Sequence, residues 1–497
     1  MATAFVLLGA GAVLLGLGPL LAQSPAQIPR VTGSVELSLV NVDVVVTGKD
    51  GRPVSGLTPA DFTVFHGKKL VEITNFREEK PAPATSESGP ASELAREATA
   101  AASMPTSGPT AVPPEPRTRR HVVMFIDHLA LPDKREREEV FGSLKRLLRG
   151  ALQPGDAAMI AWWRGGLQVV FPFTGDVGLL ERQLDAVAKG SIRLGHEVEE
   201  ELDKLAGDDW AYASAGVGDS SLSRNLNVQQ AYSEVKGKVS ALKGLIATMS
   251  GMEGRKALVF VSRNLSRSPG AEFFGTEMDA RRLIDSVADK ANAAGVTIHS
   301  LYASAWEAEQ PNVSESGLNN PRLTGPLGLT RSTSKRVNEM ASLATLTGRT
   351  GGVVITNTME APVFSGLVAS DLQHWYSIGY PVPEGVGVSS EISVRVNRPG
   401  VTVRTRRNVV ERTPEERIED RVLANLFRMD ESARLPIAVS NGTPKKEKKG
   451  RFLTPTLVRV PIRHLVLLPT ATGMKGAVSI FTVSAGPGGE FSEIRRE

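Results

Sequence analysis

Few side chains in this sequence stand at a spacing that supports chemistry. The seven histidines are scattered, and none forms the His-x-x-x-His spacing with which one helix face holds a metal ion. The chain also lacks the Gly-x-Ser-x-Gly elbow of a nucleophilic serine, a phosphate-binding P-loop and a dinucleotide fingerprint at a first strand–helix turn. We therefore expect no catalytic residues, no enzyme activity and no nucleotide cofactor.

The composition excludes further classes of site. The 497 residues contain no cysteine, which excludes disulfides, thiolate zinc sites, iron–sulfur clusters and a cysteine nucleophile. A net charge of +4 is too small to indicate a nucleic-acid partner. The 41% hydrophobic and 23% charged residues are typical of a folded protein with a substantial core.

Two pairs of polar residues follow two apolar runs, the first directly and the second after Ser262. Residues 121–126 and 257–261 are runs of the kind that form parallel strands buried on both faces of a sheet. The carboxyl ends of such strands form the edge at which doubly wound sheets bind ligands. The candidate site residues are Asp127 and His128 after the first run, and Arg263 and Asn264 after the second. An ordinary surface-loop role for His128 is the alternative.

The elements that position these residues alternate between strands and helices over about 120–382. This alternation predicts an α/β fold with a doubly wound, mostly parallel sheet. A tight hairpin between 157–163 and 167–173 predicts one antiparallel edge strand. Gly295 and Gly348 are predicted to end two of the helices.

Composition and periodicity divide the chain into six parts. Small β modules are expected to flank the α/β domain on both sides. The parts are a signal peptide or N-terminal anchor at 1–26, a small β module at 33–79, a disordered Pro/Ala/Ser-rich linker at 80–118, the α/β domain at 119–382, a β-hairpin extension at 385–410, and a helix with a small or incomplete β module at 411–497.

The first part predicts export. Residues 3–22 form one uncharged apolar run followed by a polar, proline-containing stretch, which is typical of a secretory signal. The run is also long enough to span a bilayer as an uncleaved anchor. The sequence therefore predicts a periplasmic or extracellular protein and leaves cleavage and membrane anchoring as alternatives.

Four stretches resemble one exported bacterial group of proteins related to the von Willebrand factor type A (vWA) domain. They read KDGRPVSGLTPADF at 49–62, GRKALV at 254–259, YSIGY at 376–380 and RPGV at 398–401. The order of strands and helices over 120–382 also resembles the vWA fold. The resemblance covers about 35–410 and implies a vWA-like, Rossmann-like sheet in an adhesion or interaction protein.

The resemblance also implies a divalent-cation site that this chain has largely lost. vWA domains hold magnesium with Asp-x-Ser-x-Ser after the first strand, a threonine from a later loop and an aspartate after the fourth strand. Of this set only Asp127 is kept, because Leu129 and Leu131 stand at the serine positions and Arg263 stands nearest to the later aspartate. We therefore expect a degenerate site with no magnesium and no other cofactor.

A cation within the chain offers a substitute for the metal. If Asp127 and Arg263 end neighbouring strands, the Arg263 guanidinium would form a charge-assisted hydrogen bond with the carboxylate where the metal would stand. The alternative is that Asp127 caps the following loop while Arg263 is solvated.

These observations predict a non-enzymatic, exported protein that binds a protein partner, and no nucleic acid, largely without metal. Its contact surface would be the loops at 127–133, 190–227, 263–276 and 303–333. Two alternatives stay open: an exported hydrolase on a similar sheet, and a binder of an anionic polymer or membrane surface through basic segments. The basic segments are Arg395, Arg404, Arg406, Arg407 and the lysines of 445–449.

Overall fold

The structure is a computed structural model. It describes residues 4–12, 39–80, 118–127, 131, 134–189, 221–263, 265–270, 278–303, 326–387, 389–409, 413–427, 437–446, 452–465, 467–470, 473–484, 492 and 494–496. Most of the predicted linker, most of the four predicted contact loops, and the candidate residues His128 and Asn264 lie outside these ranges.

The described helices are α1 (Lys134–Ala151), α2 (177–189), α3 (Ser221–Ser250), α4 (Arg281–Ala294), α5 (Pro326–Thr350), α6 (Ala361–Gln373) and α7 (Pro414–Asn425). The strands in the first half of the chain are β1 (Ala4–Ala12), β2 (Leu39–Gly48), β3 (Phe62–His66), β4 (Lys69–Val71), β5 (Asn75–Glu79), β6 (Arg120–Asp127), β7 (Ala157–Trp163) and β8 (Leu167–Thr174). The later strands are β9 (Arg255–Ser262), β10 (Val296–Tyr302), β11 (Val354–Ile355), β12 (Trp375–Pro381), β13 (Ile392–Val396), β14 (Val401–Thr405), β15 (Ala438–Asn441), β16 (Lys445–Lys446), β17 (Phe452–Leu453), β18 (Thr456–Arg459), β19 (Leu468–Thr470), β20 (Gly473–Lys475), β21 (Ala477–Ser484) and β22 (Arg495–Arg496).

The central sheet has six strands in the order β11-β10-β9-β6-β7-β8. All neighbours pair in parallel except β7 and β8, which pair antiparallel at the edge. The predicted mostly parallel sheet with one antiparallel edge strand is therefore confirmed. The chain leaves β6 towards β7 and β8, then crosses back to β9 on the other side, so the order reverses between β6 and β9.

Helices cover both faces of this sheet because apolar residues of its central strands point to both sides. All eight residues of β6 are buried. Val123 and Phe125 face a core shared with α3, α4 and α5. Val122 and Met124 face a second core shared with α1, α2 and α6. This alternation places Asp127, at the end of β6, on the face covered by α3.

Two glycines test the predicted helix ends. Gly295 follows α4 with a left-handed φ of 66°, as predicted. Gly348, however, lies inside α5, which continues to Thr350. The left-handed residue there is Gly351, with a φ of 80°. A Cβ at Gly351 would lie 2.7 Å from the carbonyl carbon of Thr405. Glycine is therefore required at this position both by the close approach of Thr405 and by the left-handed backbone conformation.

The small β module is built from two distant parts of the sequence. One of its sheets has the order β14-β2-β12-β5 and the other the order β13-β3-β4. Strand β12, which was predicted to belong to the α/β domain, and the hairpin at 385–410 thus join the strands of 39–79 in one module. Alternating apolar residues of β12, such as Ile378 and Tyr380, complete its core with Val42 and Val44 of β2.

This module packs against the amino edge of the six-stranded sheet. Arg255, at the start of β9, forms an ion pair with Asp43 of β2 at 2.7 Å, and its guanidinium lies 5.3 Å from the ring centre of Trp375. Arg404 of β14 binds Asp371 of α6 through two hydrogen bonds of 2.6 Å. The opposite, carboxyl edge of the sheet is therefore not covered by this module.

The last part of the chain contains α7 and short antiparallel strands. Helix α7 begins with a reciprocal capping box between Thr413 and Glu416. Strand β21 pairs with β22 and also with β1, which lies within the predicted export segment. Among the described residues no helix combines the length and apolarity required to span a bilayer.

Candidate functional site

The candidate site lies at the carboxyl edge of the sheet, where the strand order reverses. Asp127 is the last residue of β6 and Ser262 is the last residue of β9, and these two strands are paired in parallel. Open α/β sheets bind ligands in the crevice at such a reversal, because the connecting loops diverge there. Asp127 and Ser262 are both completely buried.

The cation against Asp127 is Lys238 of α3. Its Nζ lies 2.6 Å from Oδ2 of Asp127 and 2.7 Å from Oε1 of Glu234, one turn earlier on the same helix. It also donates to the backbone carbonyl of Arg263 at 3.2 Å. Two carboxylates and a backbone carbonyl thus surround the ammonium. The side chains of Lys238 and Asp127 are both 0% exposed.

The Ser262 hydroxyl completes the contacts of Oδ2. Its Oγ lies 3.0 Å from Oδ2 of Asp127 and 2.8 Å from the carbonyl oxygen of Arg263. Oδ1 of Asp127 is buried and has no hydrogen-bond partner within the part of the chain that the structure describes, which omits 128–130.

Burial and charge shift the pKa values of Asp127 and Lys238 in opposite directions. Burial raises the pKa of Asp127 above its ordinary value, against the attraction of Lys238. Burial also lowers the pKa of Lys238, but the negative charges of Asp127 and Glu234 raise that pKa above its ordinary value. Lys238 is therefore an ammonium at neutral pH, held between two carboxylates.

A second buried carboxylate lies beside the end of the next strand. Tyr302, the last residue of β10, donates its hydroxyl to Oε2 of Glu339 on α5 at 2.9 Å. Burial raises the pKa of Glu339, while the charges of Lys335, Arg263 and Lys238 lower it. Three neighbouring strands thus end in polar side chains, and the covering helices contact two of these, Asp127 through Lys238 and Tyr302 through Glu339.

A close approach between α3 and β7 allows Lys238 to reach Asp127. A Cβ placed on Gly237 would lie 2.6 Å from Cη2 of Trp163, the last residue of β7. Only glycine accommodates the indole at this distance, so Gly237 lets α3 pack close to the sheet next to Lys238.

The structure brings together only part of the predicted site. Asp127 lies at its centre, and Arg263 contributes its backbone carbonyl and its charge near Glu339. The hypothesis that Arg263 supplies the cation against Asp127 missed Lys238, whose Nζ stands at Oδ2. His128 and Asn264 lie outside the described residues.

One sequence signal did mark Lys238. The apolar residues Val235, Val239 and Leu242 repeat at helical spacing, and Lys238 falls between them on the same face. A lysine on the buried face of a helix requires a carboxylate partner. Periodicity identifies this requirement, but only the packing of α3 against β6 identifies Asp127 as the partner.

The residues present do not fit the divalent cation that the vWA resemblance implies. An ammonium occupies the space against Oδ2 of Asp127, where a metal would bind. Leu131, at one of the serine positions, is buried in the apolar core and offers no ligand oxygen. Among the described residues no three His, Asp or Glu side chains are close enough to hold a metal ion.

Comparisons with known proteins give only remote similarities. No family model matches the chain, and no curated protein matches it. Among solved structures, the conserved hypothetical protein BatB from Bacteroides thetaiotaomicron is 11% identical, with 51% of this chain and 98% of that chain covered and a TM-score of 0.24. An aerotolerance-related membrane protein from Bacteroides fragilis has the same identity and coverage, with a TM-score of 0.25.

A third solved structure is similar over a longer part of this chain. The pilus adhesin SpaC from Lactobacillus rhamnosus GG is 9% identical, with 76% of this chain and 52% of that chain covered and a TM-score of 0.25. Identities and TM-scores of this size carry no argument about function, so the proposal below depends on the site.

Proposed function

We propose that this chain is an exported, vWA-like, non-enzymatic interaction protein that binds a protein partner at the carboxyl edge of its sheet without a metal ion. The motifs at 49–62 and 376–380 and the mostly parallel sheet with one antiparallel edge strand support a vWA-like assignment. The apolar run at 3–22 supports export.

The contact of Lys238 with Asp127 carries the proposal. In a vWA domain a metal ion neutralises this carboxylate and keeps a coordination position for the partner. Here the Nζ of Lys238 neutralises it at 2.6 Å, forms a second ion pair with Glu234 and donates to the backbone carbonyl of Arg263. A partner would then be held by the loops around the site, and binding would be independent of divalent cations.

The chemistry of Ser262 and Lys238 argues against the hydrolase alternative. A serine nucleophile needs a neutral base and access to substrate. Lys238 has a raised pKa and stays charged, and Ser262 is completely buried. These two residues therefore support a structural role for the pair.

Capture of the partner by the immobilised full chain, from the exported fraction of the source cells, tests the proposal. We expect the same protein to be captured, in equal amount, in 5 mM Mg²⁺ and in EDTA. Substitution at the carboxyl edge, H128A with N264A, should reduce capture. The matched control R282A changes an exposed residue of α4 and should leave it unchanged.

Loss of capture in EDTA would overturn metal independence. Equal capture by the edge variant and the control would overturn the assignment of the binding edge. Thermal unfolding of the purified chain adds a readout that needs no partner: Mg²⁺ and EDTA should leave the midpoint unchanged, because Lys238 occupies the position against Asp127 where the ion would bind.

A further inference from the structure

The segment 437–475 differs in charge from the rest of the chain. It contains eight lysines and arginines and a single acidic residue, Glu447. Because the whole chain has a net charge of only +4, the remainder is net negative. The basic residues of this segment are Lys445, Lys446, Lys448, Lys449, Arg451, Arg459, Arg463 and Lys475.

The same segment contributes nothing to the hydrophobic cores. None of its described residues is buried, and none belongs to the core clusters of the described chain. Its backbone forms the two-stranded ladders β15–β18, β16–β17 and β19–β20. Several large apolar side chains are exposed on these ladders and the turn between them: Val439, Leu453, Leu457, Ile462, Leu468 and Met474.

The arginines in and directly after β14, by comparison, bind groups within the fold. Arg404 is bound to Asp371 through two hydrogen bonds, and Arg406 donates to the backbone carbonyls of Asn41 and Asn292. In the segment, by contrast, Lys445, Arg459 and Lys475 are exposed, and no ion pair joins them to a carboxylate in the described part of the chain. These three cations therefore face solvent.

We propose that the described ladders of this segment, β15–β18, β16–β17 and β19–β20, bind the surface of an anionic lipid bilayer. Lysine and arginine side chains near such a surface are attracted to the acidic headgroups, and exposed apolar side chains between them insert at the boundary with the acyl chains. Surface-binding segments combine these two features, because the stems of the basic side chains also lie along apolar surface.

The composition of the segment favours lipid over nucleic acid. Proteins that bind single strands stack bases on aromatic side chains, but Phe452 is the only Phe, Trp or Tyr in the segment. Its exposed side chains of Leu, Ile, Val and Met supply apolar surface and no stacking planes. The inference is independent of the proposed function at Asp127, which lies in a different part of the fold.

Flotation of the full chain with vesicles tests the proposal. Vesicles of phosphatidylcholine with 30% phosphatidylglycerol should bind the protein at least about tenfold more tightly than vesicles of phosphatidylcholine alone. Binding should weaken steeply between 50 and 500 mM NaCl, because salt screens the charges. The apolar run at 3–22 is uncharged, so lipid binding through it would not distinguish the two vesicles.

Two variants separate the charged and the apolar contributions. K445E/K446E/R459E/R463E should weaken binding to the anionic vesicles by about 100-fold or more. L453S/I462S/L468S should keep the preference for anionic vesicles but weaken binding at high salt. Since these side chains lie outside the cores, both variants should keep the thermal unfolding midpoint of the parent chain.

A control variant with the same total change in charge elsewhere in the chain tests whether the effect is specific to the segment. R135E/R182E/K189E/R282E alters exposed residues elsewhere and should bind as the parent chain does. Equal binding to neutral and anionic vesicles, or an equal loss in this control, would overturn the proposal. Tighter binding to a single-stranded oligonucleotide than to the anionic vesicles would also overturn it.

Discussion

Nζ of Lys238 lies 2.6 Å from Oδ2 of Asp127, and both side chains are completely enclosed between helix α3 and the end of strand β6. The contact joins two elements that are more than a hundred residues apart in sequence. It lies where the strand order of the central sheet reverses, so it neutralises the carboxylate at the position best suited to bind a ligand.

Removing one partner of this ion pair should destabilise the fold strongly. We expect K238M to lower the free energy of unfolding by about 3–5 kcal/mol, because it leaves Asp127 charged and buried. K134M is the matched control, since Lys134 pairs with Glu138 on the surface at 3.8 Å, and it should cost about 0.5 kcal/mol or less. Denaturant unfolding measures both.

A double variant tests whether the two residues act as a pair. K238M/D127L should cost clearly less than the sum of the two single variants, because the double variant also removes the buried carboxylate that K238M leaves unpaired. Strictly additive losses would contradict the pairing.

Two glycines of α3 should respond to alanine in opposite ways. G237A should destabilise the protein by about 1–3 kcal/mol, because the new methyl group would overlap the ring of Trp163. At Gly244 the nearest atom to an added Cβ is 3.9 Å away, so G244A should stabilise the helix by up to about 1 kcal/mol. Equal effects on the unfolding midpoint would show that α3 does not approach β7 closely.

Stability should decrease on mild acidification because of His299. Burial, together with the positive charges of Arg404 and Arg255, holds the pKa of this histidine well below its ordinary value of 6.5. The unfolded chain takes up the proton near pH 6.5 and the folded chain does not. The contribution is therefore fully present above that pH and is lost as the pH falls, by at most about 1.4 kcal/mol per pH unit.

Unfolding of H299Q between pH 7.5 and 5 measures this dependence. The variant should show a flatter decrease of stability than the parent chain, even if it is less stable throughout. H464Q, which changes an exposed histidine, should keep the parent slope. An unchanged slope in H299Q would contradict the assignment.

The contact of Arg404 with Asp371 should hold the β module on the α/β domain. R404K should lower stability by about 1–3 kcal/mol, because lysine cannot reproduce the two parallel hydrogen bonds of the guanidinium. Hydrogen exchange should increase at the junction, in β14 and α6. In R52K the affected pair with Asp50 is exposed, and we expect no measurable change.

The local sequence pattern was sufficient to predict an element when the residues that carry the pattern lie in that element or next to it. The apolar run before Asp127 predicted a central parallel strand, and the short turn at 164–166 predicted the antiparallel edge. Gly295 ends its helix as predicted. At the next helix the predicted end, Gly348, was wrong: the helix continues to Thr350, and Gly351 is the left-handed residue that packs against Thr405.

Strand β12 shows why domain boundaries were harder to predict. Its alternating residues predict a strand, yet they fit equally well into either sheet. Pairing with β2, more than three hundred residues earlier, assigns it to the β module. The composition of the residues near β12 does not indicate a partner strand so far away in the sequence.

By itself, the sequence determined the α/β class, the order of the central elements, the absence of thiol chemistry, and Asp127 as a carboxylate at the carboxyl edge of the sheet. Each of these depends on side-chain type and on a period of two or of about 3.6 residues. Only the tertiary structure decided that Lys238 neutralises Asp127, and that the two parts of the β module belong together. Both depend on which faces of distant elements meet, and that is set by packing of the whole core.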